Sequence, residues 1–302
     1  MTVAICQDLS GVSFAGIKCD SSGQAVLHFS SYETCSSVNE CGQAVVTQVR
    51  QHNLQKSCCV AVLPADSYQM IQIETTDLSD SEKRDAARWQ IRDRIDYPPE
   101  EAVLDLFEVS PFGSERRPLT YVVSAQQKLL RERIEMIESG ELSLNAIDIP
   151  EFALRNVCDL FKEDERGLAV LLLLERTGVL VIVREGVLYL VRWLSSGMDD
   201  LIPYADGDYE LLTERLDSII LEIQRSFDYC ESTFQLPMVS RLLVAQTQQD
   251  IPAVISYLND YLSTRVEPFS FSGILTVPEG SEQLDLNRQL MAIGGALRRE
   301  SS

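Results

Sequence analysis

The sequence predicts a mixed α/β fold made of two similar halves. In each half, turn residues separate three short apolar segments, and a stretch with helical spacing and a further apolar strand follow. Three strands that lead into a crossover helix give a mixed sheet with helices on its faces. The predicted elements are strands 3–6, 12–18 and 25–29, helix 38–52 and strand 57–63 in the first half, and strands 168–174, 179–183 and 187–193, helix 209–234 and strand 241–245 in the second.

A different unit separates the two halves. Its pattern predicts a helix, two strands and a second helix, and the first helix, over 79–96, ends before Pro98 and Pro99 because proline cannot continue a helix. A strand over 144–149 then returns the chain to the first half. The predicted domains are an α/β domain I over 1–78 and 146–165, an inserted α-β-β-α subdomain over 79–145, and an α/β domain II over 166–302.

The composition excludes several classes of partner. The chain has 46 acidic and 26 basic residues and a formal net charge of −20, which argues against nucleic acid and against direct contact with an anionic membrane. The longest apolar run, 168–174, is far shorter than the roughly 20 residues of a membrane span. The N-terminus lacks the pattern of a signal peptide. We therefore expect a cytoplasmic protein that reaches the membrane only through a partner, and we expect its eight cysteines to be reduced.

Four phrases carry a resemblance to a known family. They are RWQIRDRIDYPPEEAVLDLFEV at 88–109, AIDIPEFALRN at 146–156, EIQRSFDYCESTF at 222–234 and MAIGGALR at 291–298. The duplicated pattern with an insertion in its first half is similar to the actin-like ATPase superfamily. The phrases, in this order and spacing, resemble the PilM family of type IV pilus assembly proteins.

The resemblance implies an actin-like (duplicated RNase H-like) two-domain fold with an inserted subdomain of the FtsA/PilM type. It also implies a cytoplasmic protein that binds the short cytosolic N-terminal segment of a bitopic inner-membrane partner of the PilN type, in a groove near the inserted subdomain. Members of the family link the inner-membrane complex to the cytosolic motor ATPases, and many of them hold ATP between the two domains.

The nucleotide motifs that the resemblance implies are incomplete in this chain. An actin-like site cradles phosphates with backbone amides from two hairpin turns, and an aspartate orients magnesium or water. In the first turn, only Asp8, Ser10 and Gly11 match the usual Asp-x-Gly pattern in part. They are therefore predicted to be the remnant of a cofactor-binding turn.

The other two nucleotide motifs are missing. The expected aspartate and glycine of the second turn fall near Leu172 and Leu174, and Glu175, which follows them, would repel phosphates. No glycine follows the strand at 241–245, where a glycine pair normally lies beside the adenine. The sequence therefore predicts no ATPase activity and no ATP or magnesium cofactor. The alternative is an ATP-binding switch in which nucleotide controls partner affinity.

The helix at 81–96 is the best candidate for a partner-binding surface. Helical spacing places Ala87, Ile91 and Ile95 on one face and Trp89 roughly opposite them. Tryptophan and arginine are enriched at binding hot spots, so Trp89, Arg92 and Tyr97 are the predicted partner-binding residues. The alternative is a structural helix in which aspartates neutralise the arginines and Trp89 packs against domain I.

No other pattern predicts catalysis or a metal site. The two histidines, His28 and His52, lack the spacing of a zinc site or of a catalytic triad. Gly294 and Gly295 lie in a helical pattern and are expected to allow close helix packing rather than ligand binding. We therefore predict a protein without catalytic residues.

Overall fold

The computed structural model describes residues 1–299 except 9, 22, 75–79, 114–116, 162–165, 206–208, 248 and 278–284. Its strands are β1 (Thr2–Gln7), β2 (Gly11–Cys19), β3 (Ala25–Thr34), β4 (Cys58–Val62), β5 (Tyr68–Ile73), β6 (Ala102–Val109), β7 (Leu119–Gln126), β8 (Ser143–Asp148), β9 (Leu168–Leu173), β10 (Gly178–Arg184), β11 (Val187–Leu194), β12 (Arg241–Gln246) and β13 (Arg265–Pro268). Its helices are α1 (Val38–Gln51), α2 (Asp80–Ile91), α3 (Gln127–Ser139), α4 (Pro150–Cys158), α5 (Tyr209–Phe234), α6 (Pro252–Tyr261) and α7 (Leu286–Ala296).

Two five-stranded sheets have the same topology. Sheet I has the order β3-β2-β1-β4-β8, and sheet II has the order β11-β10-β9-β12-β13. In both, the first strand of an antiparallel three-stranded meander pairs in parallel with a later strand, which pairs in parallel with the last strand of the sheet. The six residues of β9 are all buried, as expected for a central strand that is covered on both faces. The duplication predicted from the two strand-rich segments is therefore present in the fold.

The helices repeat in the same way. After its meander, domain I continues α1-β4-α3-β8-α4, and domain II continues α5-β12-α6-β13-α7. The pair α1 and α3 covers the outer face of sheet I, where Val45, Val49 and Ile137 pack into one apolar cluster. The pair α5 and α6 covers the outer face of sheet II in a second cluster.

The last helix of each half crosses to the other half. Helix α7 packs on β1, β2 and β4 of domain I, whereas α4 packs on β10 and β11 of domain II. The two helices also pack against each other, so one apolar cluster contains residues from both sheets and both helices. The molecule is thus a five-layer stack of helices, sheet, helices, sheet and helices. The predicted assignment of 166–302 to domain II overlooks this exchange, because α7 lies on the sheet of domain I.

The inserted unit consists of β5, α2, β6 and β7. Its sheet has the order β5-β7-β6, and α2 packs on it through Ala87 and Ile91, which meet Ile71 and Val122. The boundaries predicted for the inserted subdomain, 79 and 145, differ from the observed arrangement in two ways. Strand β5 belongs to the insertion because it pairs with β7. Helix α3 belongs to domain I because it is the counterpart of α6 and packs on α1.

Two of the eight cysteines form a disulfide. Cys35 follows β3 and Cys41 lies in the first turns of α1, and their Cα atoms are 5.6 Å apart. The expectation that all cysteines are reduced is therefore wrong for this pair, which the short connection between strand and helix brings together. The other six cysteines are free thiols. Among the described helices, none combines the length and apolarity that crossing a bilayer requires.

Candidate functional site

The first hairpin turn, between β1 and β2, is closed by its own side chains. One carboxylate oxygen of Asp8, Oδ1, accepts hydrogen bonds from the backbone amides of Ser10 and Gly11, at 2.7 and 2.8 Å. The same oxygen accepts from the hydroxyls of Ser10 and Tyr32, at 3.0 and 3.1 Å. Asp8 therefore occupies the amides that a phosphate would need in an actin-like site. Residue 9 lies outside the described residues.

The tyrosine ring fills the remaining space over this turn. A Cβ added to Gly11 would lie 2.6 Å from the ring of Tyr32 and 2.3 Å from the backbone oxygen of Glu33. Burial is the main cause of the raised pKa of Tyr32. Close packing against β3 thus requires glycine at position 11.

Two backbone amides of the second turn, between β9 and β10, are also bonded within the chain. The amide of Glu175 donates to Oδ1 of Asn287 at 2.8 Å, and the amide of Leu174 donates to the carbonyl of Thr177 at 2.9 Å. Position 172, where an aspartate was expected, is a leucine with 1% exposure inside β9. The second turn therefore lacks the expected aspartate, and the amides of Leu174 and Glu175 are bonded within the chain.

The loop after β12 closes on the same asparagine. Thr247 donates its hydroxyl hydrogen towards Asn287 Oδ1 and the Leu173 carbonyl, which both lie at 2.8 Å. The side chain of Gln246 bridges to the backbone of Ile251. Residue 248, part of the segment expected beside an adenine, lies outside the described residues.

Two consecutive residues of α7 connect these turns. Asn287 binds the second turn and the loop after β12. The guanidinium of Arg288 lies 4.7 Å from the ring centroid of Tyr32, a β3 residue that binds the first turn through Asp8. In an actin-like ATPase the nucleotide lies between these turns. Here, among the described residues, side chains of the protein contact both turns.

The exposed surface of α2 has a different character. Trp89 is 65% exposed, whereas Ala87 and Ile91 are fully buried, as the helical period predicts. The guanidinium of Arg92 lies 4.6 Å from the centroid of the Trp89 ring, a distance typical of a cation–π contact. Because both side chains are largely exposed, this aromatic–cationic pair faces solvent.

The other arginines near α2 are used within the insertion. Arg88 donates to the carbonyls of Pro99 and Ala102, and Arg94 donates to the carbonyl of Gln72. These two guanidinium groups are therefore bound to backbone carbonyls of the insertion. Helix α2 ends at Ile91 rather than near 96, and the turns that follow bring Arg94 to β5.

Tyr97 lies apart from the exposed pair. It is half-buried, and its hydroxyl lies 2.8 Å from the Ser124 hydroxyl on β7. Burial is the main cause of its raised pKa. The structure therefore places Trp89 and Arg92 together on the surface and gives Tyr97 a supporting position between the α2–β6 connection and the sheet.

A buried carboxylate joins the three parts of the molecule. Glu151, in the first turn of α4, has 4% exposure. It accepts hydrogen bonds from the hydroxyl of Tyr68 on β5 and from the side chain of Trp193 on β11. Burial raises the pKa of Glu151 despite these two hydrogen bonds, which favour the ionised form. Ionisation of this buried carboxylate therefore destabilises the junction between domain I, domain II and the insertion.

We expect Glu151→Gln to be at least as stable as the wild type at pH 8. The glutamine carbonyl can still accept from Tyr68 and Trp193, but it carries no charge to bury. Because the folded pKa is raised above the unfolded value, the wild type is penalised as pH rises through the folded pKa. Urea unfolding at pH 5 and pH 8 should show a Gln-minus-wild-type difference that grows with pH.

The matched variant Glu151→Ala should lose about 1–3 kcal/mol, because it leaves a buried tyrosine hydroxyl and a tryptophan N–H without their acceptor. A wild type that is more stable than Glu151→Gln at pH 8 would show that the charge stabilises the junction.

Sequence reasoning missed the residues that close the cleft. Tyr32, Thr247 and Asn287 are far apart in the sequence and lie in no motif. The internal repeat offers one signal that could have indicated these residues. The two hairpin turns occupy equivalent positions in the repeat, and both are contacted by residues of α7. Among the described residues, no group of three or more potential metal ligands is present.

The fold is shared with proteins of known structure. A chain of the PilM–PilN type IV pilus biogenesis complex superposes with a TM-score of 0.70 at 19% identity, over 98% of this chain and 97% of that chain. A protein from Bacteroides thetaiotaomicron described as having an actin-like ATPase fold gives 0.51 at 10% identity, over 96% and 95%. The chain has an actin-like fold. The predicted fold class is therefore confirmed.

A third structural neighbour belongs to a different assembly. The cytoplasmic domain of EpsL, an inner membrane component of the type II secretion system of Vibrio cholerae, gives a TM-score of 0.51 at 10% identity, over 99% and 95%. No protein-family model and no curated protein matches the chain. The comparisons thus define the architecture, and the function has to be inferred from the residues.

Proposed function

We propose that this actin-like protein is a cytoplasmic adaptor of type IV pilus biogenesis. It binds the cytosolic N-terminal segment of a bitopic, PilN-like inner-membrane protein and thereby lies against the membrane without inserting into it. The observation that carries this proposal is the exposed Trp89–Arg92 pair on the insertion, within a phrase that resembles the PilM family. The TM-score of 0.70 to a chain of the PilM–PilN complex supports the same assignment.

The sequence phrases narrow the proposal to one pilus type. They resemble most the PilM-like protein MshI of mannose-sensitive haemagglutinin (MSHA) pilus systems. An adaptor in such a system also meets the cytosolic motor ATPase, which is the second partner that we propose. With a net charge of −20, the protein would be repelled by the anionic inner leaflet unless a membrane partner tethers it.

The proposed adaptor works without nucleotide and is not an enzyme. Support comes from the two hairpin turns, in which Asp8 and Asn287 accept the amide hydrogens that phosphates would otherwise need. Asp8, Ser10 and Gly11 are then a remnant that holds a turn. In the alternative, an ATP-dependent switch of partner affinity, these side chains would have to move out of the cleft.

Thermal unfolding with 1 mM ATP and magnesium tests this part of the proposal. We expect no rise in the melting temperature, because Asp8 and Asn287 already accept the amide hydrogens that phosphates would need. A ligand at a hundred times its Kd would add about 2.7 kcal/mol of stability, which such a scan detects easily. A clear rise relative to magnesium alone would support the switch instead. If ATP and magnesium raised the melting temperature of Asp8→Ala but not of the wild type, the Asp8 carboxylate would be the group that blocks nucleotide binding.

A further inference from the structure

An open groove lies between α1 and α3 on the outer face of domain I. Its volume is about 760 Å³, and Gly42, Val46 and Met136 are among its lining residues. A Cβ at Gly42 would meet only Met136, at 4.0 Å. Glycine inside a helix costs roughly 0.5–1 kcal/mol relative to alanine, so α1 carries an unfavourable residue where the groove is open. Val38, at the end of the groove, is 47% exposed.

The charged side chains that line the groove are negative. Glu132 and Glu135 on α3 line it, and the described lining residues include no lysine or arginine. Neither glutamate forms a hydrogen bond or a close ion pair with a described residue, although the charges of Glu132 and Arg133 attract each other. An apolar floor beside two exposed carboxylates that form no close ion pair is complementary to a ligand that has an apolar face and positive charges.

The duplicated half provides an internal comparison. The counterpart of α1 and α3 in domain II is the pair α5 and α6. There the Tyr257 hydroxyl donates across to Asp217 on α5 at 2.9 Å, and the Tyr257 and Tyr261 rings pack 4.5 Å apart. Domain II thus bridges its helix pair with its own aromatic residues. Domain I has a glycine and two glutamates in the corresponding groove.

We propose that the α1–α3 groove binds a cationic amphipathic helix of a partner protein. A helix is the natural occupant of a groove between two packed helices, where its apolar residues at positions i, i+3 or i+4, and i+7 reach the floor. Helix α1 has 14 residues and is therefore about 21 Å long, which matches about four turns of a ligand helix. Lysine or arginine residues of this helix pair with Glu132 and Glu135. The proposal is independent of the pilus assignment, since the groove lies on domain I and the Trp89–Arg92 pair lies on the insertion.

A designed peptide tests the groove on the full-length protein. The probe is a fluorescent 18-residue helix of leucine and lysine with all leucines on one face. Its control is a peptide of the same composition with the leucines distributed around the helix. We expect the amphipathic peptide to bind at least tenfold more tightly than the control by fluorescence anisotropy. We expect Gly42→Trp, which fills the groove, to remove this preference.

Charge variants separate the groove from the general acidity of the surface. Glu132→Gln/Glu135→Gln should weaken binding several-fold and reduce its salt dependence, whereas Glu210→Gln/Glu214→Gln on α5 removes the same charge elsewhere and should have little effect. Equal binding of both peptides, or equal loss from both charge variants, would overturn the proposal. Self-association that Gly42→Trp abolishes would also overturn it, because it would make a second copy the occupant. Circular dichroism of Gly42→Trp confirms that the variant is folded.

Discussion

Replacing Gly294 with alanine is expected to destabilise the protein by about 3 kcal/mol or more. A Cβ at this position would lie 2.2 Å from the carbonyl oxygen of Ala153 and 2.6 Å from its carbonyl carbon. Both are backbone atoms of α4, which cannot rotate away as a side chain can. The Asn156 amide donates to the Gly294 carbonyl at 3.0 Å and fixes the same contact from the other side. The variant must therefore separate the two exchanged helices.

The matched control is Gly42→Ala, which should change the free energy of unfolding in the opposite direction. Gly42 also lies inside a helix, but its Cβ position is open. Alanine should therefore stabilise α1 by roughly 0.5–1 kcal/mol. Urea unfolding of both variants provides the comparison. If Gly294→Ala were no less stable than the wild type, the close crossing of α4 and α7 would not hold the domains together.

Replacing Trp89 with alanine is expected to weaken binding of a PilN-like cytosolic peptide by about 2 kcal/mol or more, which is roughly 30-fold in Kd. The ring is 65% exposed and is held by Arg92, so it can be buried by a partner without first leaving a core. Arg92→Ala should have a smaller effect, since it removes a charge and the support of the ring. Fluorescence anisotropy with labelled peptide measures both.

Tyr209→Ala is the matched control for Trp89→Ala. Tyr209 is also 65% exposed, but it lies at the start of α5 in domain II, away from the insertion. Its loss should leave the Kd unchanged. If Trp89→Ala and the wild type bound the peptide with equal affinity, the α2 surface would not be part of the proposed interface. The partner would then have to bind at another surface.

The sequence was sufficient to predict the duplicated architecture, because the meanders are short apolar runs with clear turns. The long helix at 209–234 has the predicted bounds. Topology could not be predicted as well. The sequence of β5 alternates between polar and apolar residues, as in any edge strand. Only its pairing with β7 assigns it to the insertion. Helix α7 has an ordinary amphipathic pattern that does not reveal which domain it covers.

The candidate sites were predictable to different degrees. A helical period is a local property, so the exposure of Trp89 opposite Ala87 and Ile91 could be predicted from the spacing alone. The closure of the cleft depends on distant residues. Asp8 was predicted to belong to a weakened phosphate turn, but its contact with Tyr32 and the link made by Asn287 and Arg288 depend on the tertiary fold.

Titration of the cytosolic N-terminal peptide of a PilN-like partner into the nucleotide-free protein tests the adaptor function most directly. The measurement is made by calorimetry, first without nucleotide and then with ATP and magnesium. We predict one peptide bound per chain, with a Kd that ATP does not change. Binding that appears only with ATP, or an absence of binding in both conditions, would contradict a nucleotide-independent adaptor.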